Sequence, residues 1–133
     1  MDISVIGLGK LGICTAACFA GAGHRVVGYD TDPRVVNALR EGRAPVEETD
    51  LDAALAAAAG NFRLARDYQD AVESSEITLI IVPTPSQADG RFSNDYVLRV
   101  LEQLSPALRA KRSFHVVDVV STVMPGTDRK SVV

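Results

Sequence analysis

Six residues near the amino terminus, Gly7-Leu8-Gly9-Lys10-Leu11-Gly12, constrain this chain more than any others. They follow a short apolar, β-branched run of Ile3, Val5 and Ile6, and they lead into a proline-free stretch of small and apolar residues to Ala22. A second apolar run, Val26-Val27-Gly28-Tyr29, ends in Asp30, eighteen residues after Gly12. The order is strand, glycine turn, helix, strand, acid. A G-x-G-x-x-G spacing alone is a weak signal. In this setting it points to a dinucleotide-binding unit.

Each glycine has its own expected task. Gly7 turns the chain sharply out of the strand, where a Cβ would clash. Gly9 lets the backbone approach a pyrophosphate, and Gly12 lets the helix pack tightly on the strand. The helix N-terminus then offers free N–H groups and partial positive charge to phosphates. The amides at Leu8, Lys10 and Leu11 belong to the same cradle.

Asp30 also chooses between cofactors. A 2′-phosphate placed about 4 Å from its carboxylate would cost about 4 kcal/mol per unit of like charge at an effective dielectric of about 20. A charge-assisted bond to a free ribose hydroxyl instead gains roughly 1.5–3 kcal/mol. NAD is therefore expected rather than NADP. Arg34 stands where it can cover an adenine or offset a phosphate, and its simpler reading is a solvated helix residue.

A chain of 133 residues is long enough for one domain with its own core. The formal net charge of −3, with no basic run, gives no reason to expect nucleic acid or an anionic membrane as partner. The amino terminus begins with Asp2, has no basic lead-in and is interrupted by Lys10, which argues against a signal peptide. No apolar run is long enough to span a bilayer. Cys14 and Cys18 lie four apart on one predicted helix, too few ligands for zinc. They are expected to pack against the sheet as small apolar groups in a reducing, cytoplasmic setting.

The rest of the chain alternates the same way. Thr31 or Asp32 caps a helix with Pro33 in its first turn, striped by Val35, Val36 and Leu39 and ended by Gly42. Leu51–Ala59 reads as an alanine-rich helix, Phe62–Ala65 as a short strand, and Asp67–Val72 as a brief capped helix. Ile77–Val82 is the most continuous apolar run, a strand buried on both faces. Pro83-Thr84-Pro85-Ser86 stops it. A helix begins at Asn94, with Pro106 expected to kink or restart it. Phe114–Val120 is the last strand, Ser121–Thr127 turns at Pro125-Gly126, and 128–133 begins a further segment. The expected fold is α/β: a Rossmann-like, doubly wound parallel sheet of strand order 3-2-1-4-5, with helices on both faces. That order brings the glycine loop, Pro83–Ser86 and Ser121–Thr127 to one crevice.

Several of these pieces resemble the UDP-glucose/GDP-mannose (nucleotide-sugar 6-) dehydrogenase family over its N-terminal NAD-binding domain. They are the glycine loop, Gly23-His24-Arg25-Val26-Val27-Gly28-Tyr29-Asp30, Leu39-Arg40-Glu41-Gly42-Arg43-Ala44-Pro45, Val82-Pro83-Thr84-Pro85 with Asp89-Gly90, and Ser121-Thr122-Val123-Met124-Pro125-Gly126-Thr127. The proline-threonine-proline loop and the later Ser-Thr-Val-x-Pro-Gly-Thr are the specific elements. The resemblance implies oxidation of the C6 alcohol of a UDP- or GDP-sugar to a carboxylate with two NAD. It also implies a longer, homo-oligomeric protein of which residues 1–133 form the NAD-binding domain. It places Pro83, Thr84, Pro85, Ser121 and Thr122 near the nicotinamide, with the Thr122 hydroxyl at the reacting carbon. A threonine hydroxyl can hold a water or polarise a developing oxyanion without titrating.

The chain departs from the family pattern at three points. Lys10 stands where many members carry tyrosine. Thr49-Asp50 replaces a usual Pro-Gly, so a differently shaped loop is expected there. Val120 precedes Ser121 where a charged residue is common. The family's catalytic cysteine, lysine and asparagine are expected beyond this chain, and neither Cys14 nor Cys18 takes that role. His24 and His115 are read as local structural residues. Two other readings stand beside this one: the cofactor domain of a 3-hydroxyacid or 6-phosphogluconate-type dehydrogenase, and a non-catalytic NAD-sensing module.

Overall fold

Alternation along the strands divides the apolar side chains between two layers. Ile3 and Val5 of β1 (Asp2–Ile6) pack with Ala16 and Ala20 of α1 (Lys10–Gly21) and with Val26 of β2 (Arg25–Tyr29). Ile6 points the other way. It packs with Ile80 of β4 (Ile77–Ile80), with Val72 of α4 (Tyr68–Glu73), and with Val97, Leu101 and Leu104 of α5 (Asp95–Ala110). Each fully buried aliphatic side chain contributes roughly 1.5–3 kcal/mol, so the two layers hold the sheet from both faces. The remaining elements are α2 (Pro33–Arg40), α3 (Leu51–Ala57), β3 (Phe62–Leu64) and β5 (Val116–Val119). This computed structural model describes residues 1–125. Gly126, Thr127 and the expected segment 128–133 lie outside the described residues.

The sheet has five strands in the order β3-β2-β1-β4-β5, all parallel, as read from the sequence. Residue Ser4 pairs in register with Thr78, and Thr78 with Val117. The helix signals also hold. Asp32 accepts from the Arg34 N–H at 2.9 Å with Pro33 behind it, and Asp67 accepts from Asp70 N–H at 2.7 Å. Past α2, Gly42 takes φ +73°, with Gly42 N–H on Leu39 O and Arg43 N–H on Ala38 O. That paired closure is why the helix stops there.

Some expectations need correction. Helix α5 continues through Pro106 and does not restart there, because Ala107 and Leu108 continue the stripe packed on the β4–β5 layer. The loss of one N–H at Pro106 does not outweigh that burial. Cys18 is exposed and Cys14 only half-buried, so the pair does not pack against the sheet. Ala16 and Ala20 take that face instead. Strands β4 and β5 are shorter than their apolar runs, and Phe114 lies almost fully exposed ahead of β5.

A polar network crosses the amino end of the sheet. The Lys111 ammonium donates to Val72 O at 2.7 Å and to Ser75 O, and lies 3.0 Å from His115 Nδ1. A protonated amine has only donors, so Nδ1 accepts and Nε2 carries the ring hydrogen toward Thr78 Oγ1 at 2.8 Å. Thr78 in turn lies 2.7 Å from Ser4 Oγ, which is 3.0 Å from Ser75 Oγ. Ser4 and Thr78 are fully buried, so these bonds replace the water that folding removed. The two histidines serve local structure: His24 sits edge-on to Phe19 at 5.9 Å, and His115 belongs to this network.

Candidate functional site: a crevice at the carboxyl ends of three strands

Where β1, β4 and β5 end, their loops surround an open crevice of about 850 Å³. Gly7, Gly9, Lys10, Leu11 and Gly12 form its floor. Asp30 closes one end, and Pro83, Thr84, Ser121 and Thr122 line the other. The strand order alone produces this meeting, since β1 lies between β2 and β4.

The three glycines behave differently. Gly7 has φ +93°, and a Cβ there would sit 2.2 Å from Ile81 O. A Cβ on Gly12 would sit 1.8 Å from Gly7 O. Both glycines are demanded by the chain itself. Gly9 is not: a Cβ there would meet nothing within 4 Å. It is the N-cap of α1, with no side-chain cap bond, and the first turn of α1 carries no acid. A bare, positive helix terminus beside an open glycine is a cradle that a pyrophosphate fits and that protein atoms leave unfilled.

Asp30 is more embedded than its sequence position suggested. Its Oδ2 accepts from the Leu8 N–H at 2.6 Å, and its Oδ1 from the Asp32 N–H at 2.8 Å. The carboxylate thus fastens the end of β2 to the glycine loop. Two further lone-pair directions remain for other donors. Leu8 itself is buried in the sheet core, so its side chain does not reach the crevice.

The end away from Asp30 is fixed by Ser121. Its hydroxyl donates to Val82 O at 2.8 Å and accepts from Val82 N–H at 3.1 Å. This extends the β4–β5 ladder one step past Val120 N–H on Ile80 O. Ser121 thereby joins the Pro83–Thr84 loop to its own, with Thr122 next to it and exposed. Pro85 and Arg34 are not among the residues lining the crevice. Arg34 is largely exposed and forks onto Asp32, Nη2 to Oδ2 at 2.7 Å. The sequence reading missed Tyr96 and Arg99 of α5, which also face the crevice. Nothing in their spacing separates them from solvated helix positions. Among the described residues no group of three or more His, Cys, Asp or Glu could hold a metal ion.

The model of the UDP-glucose/GDP-mannose dehydrogenase family, NAD binding domain, matches residues 1–133. The chain belongs to that family. Among curated relatives it is 38% identical over 129 residues to GDP-mannose 6-dehydrogenase of Azotobacter vinelandii, covering 96% of this chain and 30% of that protein. Among solved structures it is similar to a ternary complex of GDP-mannose dehydrogenase from Pseudomonas aeruginosa, with TM-score 0.93 and 34% identity, over 98% of this chain and 30% of that one. It is also similar to a UDP-glucose dehydrogenase from Pyrobaculum islandicum, with TM-score 0.89 and 42% identity, over 96% of this chain and 30% of that one. The chain therefore spans about a third of the length of the relatives it matches, and the part matched is the family's NAD-binding domain. No described helix is long and apolar enough to cross a membrane.

Proposed function

We propose that this domain serves an enzyme oxidising the C6 alcohol of a UDP- or GDP-linked sugar to a carboxylate with two NAD. The observation that carries this reading is the junction made by Ser121, which sets Thr84 and Thr122 in the same crevice as the glycine loop. A plain NAD-sensing module has no need of two threonine hydroxyls at that end. The relatives named as GDP-mannose and UDP-glucose dehydrogenases support the same substrate class.

In this reading the amides of Gly9, Lys10, Leu11 and Gly12 hold the pyrophosphate, with Gly7 setting the turn. Leu8 takes part through its backbone tie to Asp30. Asp30 receives the adenosine ribose. Pro83 and Ser121 shape the nicotinamide end, and Thr84 faces it. Bound NAD supplies the hydride acceptor. Thr122 is the catalytic hydroxyl, holding a water or donating to the oxygen that gains charge.

The thiol chemistry expected for the second oxidation is not available here. Burial pushes the half-buried Cys14 thiol up, away from the reactive thiolate, and neither Cys14 nor Cys18 lines the crevice. The chain alone should bind NAD without turnover. The test mixes it with NAD and UDP-glucose, UDP-N-acetylmannosamine or GDP-mannose while following NADH absorbance. Sustained NADH production proportional to protein, lost in Cys14→Ser or Cys18→Ser, would contradict the assignment. Calorimetry should give tighter binding of NAD than NADP. Asp30→Ala should weaken NAD by about tenfold or more and narrow that gap. The same variant should lower the melting temperature, since Leu8 and Asp32 lose their acceptor.

A further inference from the structure

Lys10 carries its charge at the mouth of the crevice, yet the charge is already engaged. Its ammonium pairs with Glu48, which does not line the crevice but sits in a separate surface depression with Ala44, Val46 and Asp52. Glu48 belongs to the segment 43–50 that straps across α1. Three contacts hold the strap. Ala44 and Val46 pack against Ile13, Ala17 and Leu51, and Ala44 N–H donates to Asp52 Oδ1 at 2.9 Å. Leu51 N–H reaches Glu48 O at 3.3 Å, closing a turn in which Asp50 takes φ +61°, ψ +7°.

Asp50, in the stretch where Thr49-Asp50 replaces Pro-Gly, adopts the left-handed conformation that glycine takes at the third position of a type II turn. The strained geometry keeps Glu48 aimed back at the start of α1. Its carboxylate, by hydrogen bond and by charge, holds the Lys10 ammonium more firmly protonated than usual.

We propose that Glu48 sets the crevice's affinity for the dinucleotide by competing with its pyrophosphate for the Lys10 ammonium. This rests on the dinucleotide reading of the crevice. The cradle needs no cation to receive a phosphate, because the N-terminus of α1 already presents donors. Lys10 is therefore an adjustable addition, and Glu48 is the charge that adjusts it. The Lys10 side chain is 73% exposed, so the pair is a weak one. Releasing it should change affinity modestly, by about two- to fivefold.

The test is calorimetric titration of NADH into the wild-type chain, Glu48→Gln, Lys10→Met and the double variant at low and high salt, with melting temperatures followed alongside. Glu48→Gln should bind NADH about two- to fivefold tighter at low salt, and the gain should shrink as salt screens it. Lys10→Met should bind more weakly, and adding Glu48→Gln to it should recover nothing. Unchanged or weaker binding by Glu48→Gln would overturn the competition. Equal tightening in the Lys10→Met background would also overturn it, by showing a general charge effect. A wild-type chain that binds no NADH would instead overturn the reading of the crevice itself.

Discussion

The two ends of this sheet treat their polar groups in opposite ways. At the amino end, Lys111, His115, Thr78, Ser4 and Ser75 satisfy one another and nearby carbonyls in a buried to half-buried chain. At the carboxyl end, the N-terminus of α1 is left bare beside a glycine that no protein atom crowds. The first arrangement holds a fold together and asks nothing of solvent. The second leaves donors to a ligand. The same contrast recurs inside the glycine loop, where packing demands Gly7 and Gly12 but leaves the space at Gly9 open.

Alanine at each glycine breaks this comparison most sharply. Gly12→Ala drives a methyl into a backbone carbonyl and should cost about 3 kcal/mol or more. Gly7→Ala adds a left-handed φ to a similar clash. Both should show large losses in thermal or denaturant unfolding. Gly9→Ala should melt like wild type yet lose at least about tenfold in NADH affinity by calorimetry, a step of about 1.4 kcal/mol. A Gly9→Ala chain that binds normally would remove the cradle from the account.

The amino end yields the next effect. Thr78→Val keeps the side chain's shape but strands the His115 Nε2–H and takes a partner from Ser4. It should cost about 1–3 kcal/mol in denaturant unfolding and leave NADH affinity unchanged. A smaller effect is pH-dependent. Burial first, and then the Lys111 charge, lowers the His115 pKa below its ordinary 6.5. The unfolded chain takes up this proton near pH 6.5 and the folded chain only at lower pH. Between those points the unfolded state binds more protons, so stability falls as pH drops below about 6.5. Unfolding between about pH 7.5 and 5.5 should show that slope, and His115→Gln should flatten it.

How much of this was legible beforehand follows from what short-range patterns encode. Strand order, the caps at Asp32 and Asp67, the stop at Gly42 and the meeting of the three loops came from spacing and turn chemistry. Those signals are local, or follow from the handedness of βαβ connections. Long-range pairings were hidden. The tie from Asp30 to the Leu8 amide, the bridging of Val82 by Ser121 and the ion pair of Lys10 with Glu48 join residues 22, 39 and 38 positions apart. Cys18 was misplaced because a helix of small residues has no strong apolar face to fix its rotation. Pro106 left open whether α5 continues, because the burial around it, not its own propensity, decides that.

The central claim is that the crevice at the carboxyl ends of β1, β4 and β5 is the NAD site and that the amino end is structural. Amide chemical-shift mapping of the labelled chain during NADH titration tests it most directly. The account predicts shifts at residues 7–12, at 30–35, and at Val82, Thr84, Ser121 and Thr122, with Ser4, Ser75, Thr78 and Lys111 unmoved. NADPH at the same concentration should shift them less. Shifts concentrated around Ser75, Lys111 and His115, or none in the glycine loop at saturating NADH, would contradict it.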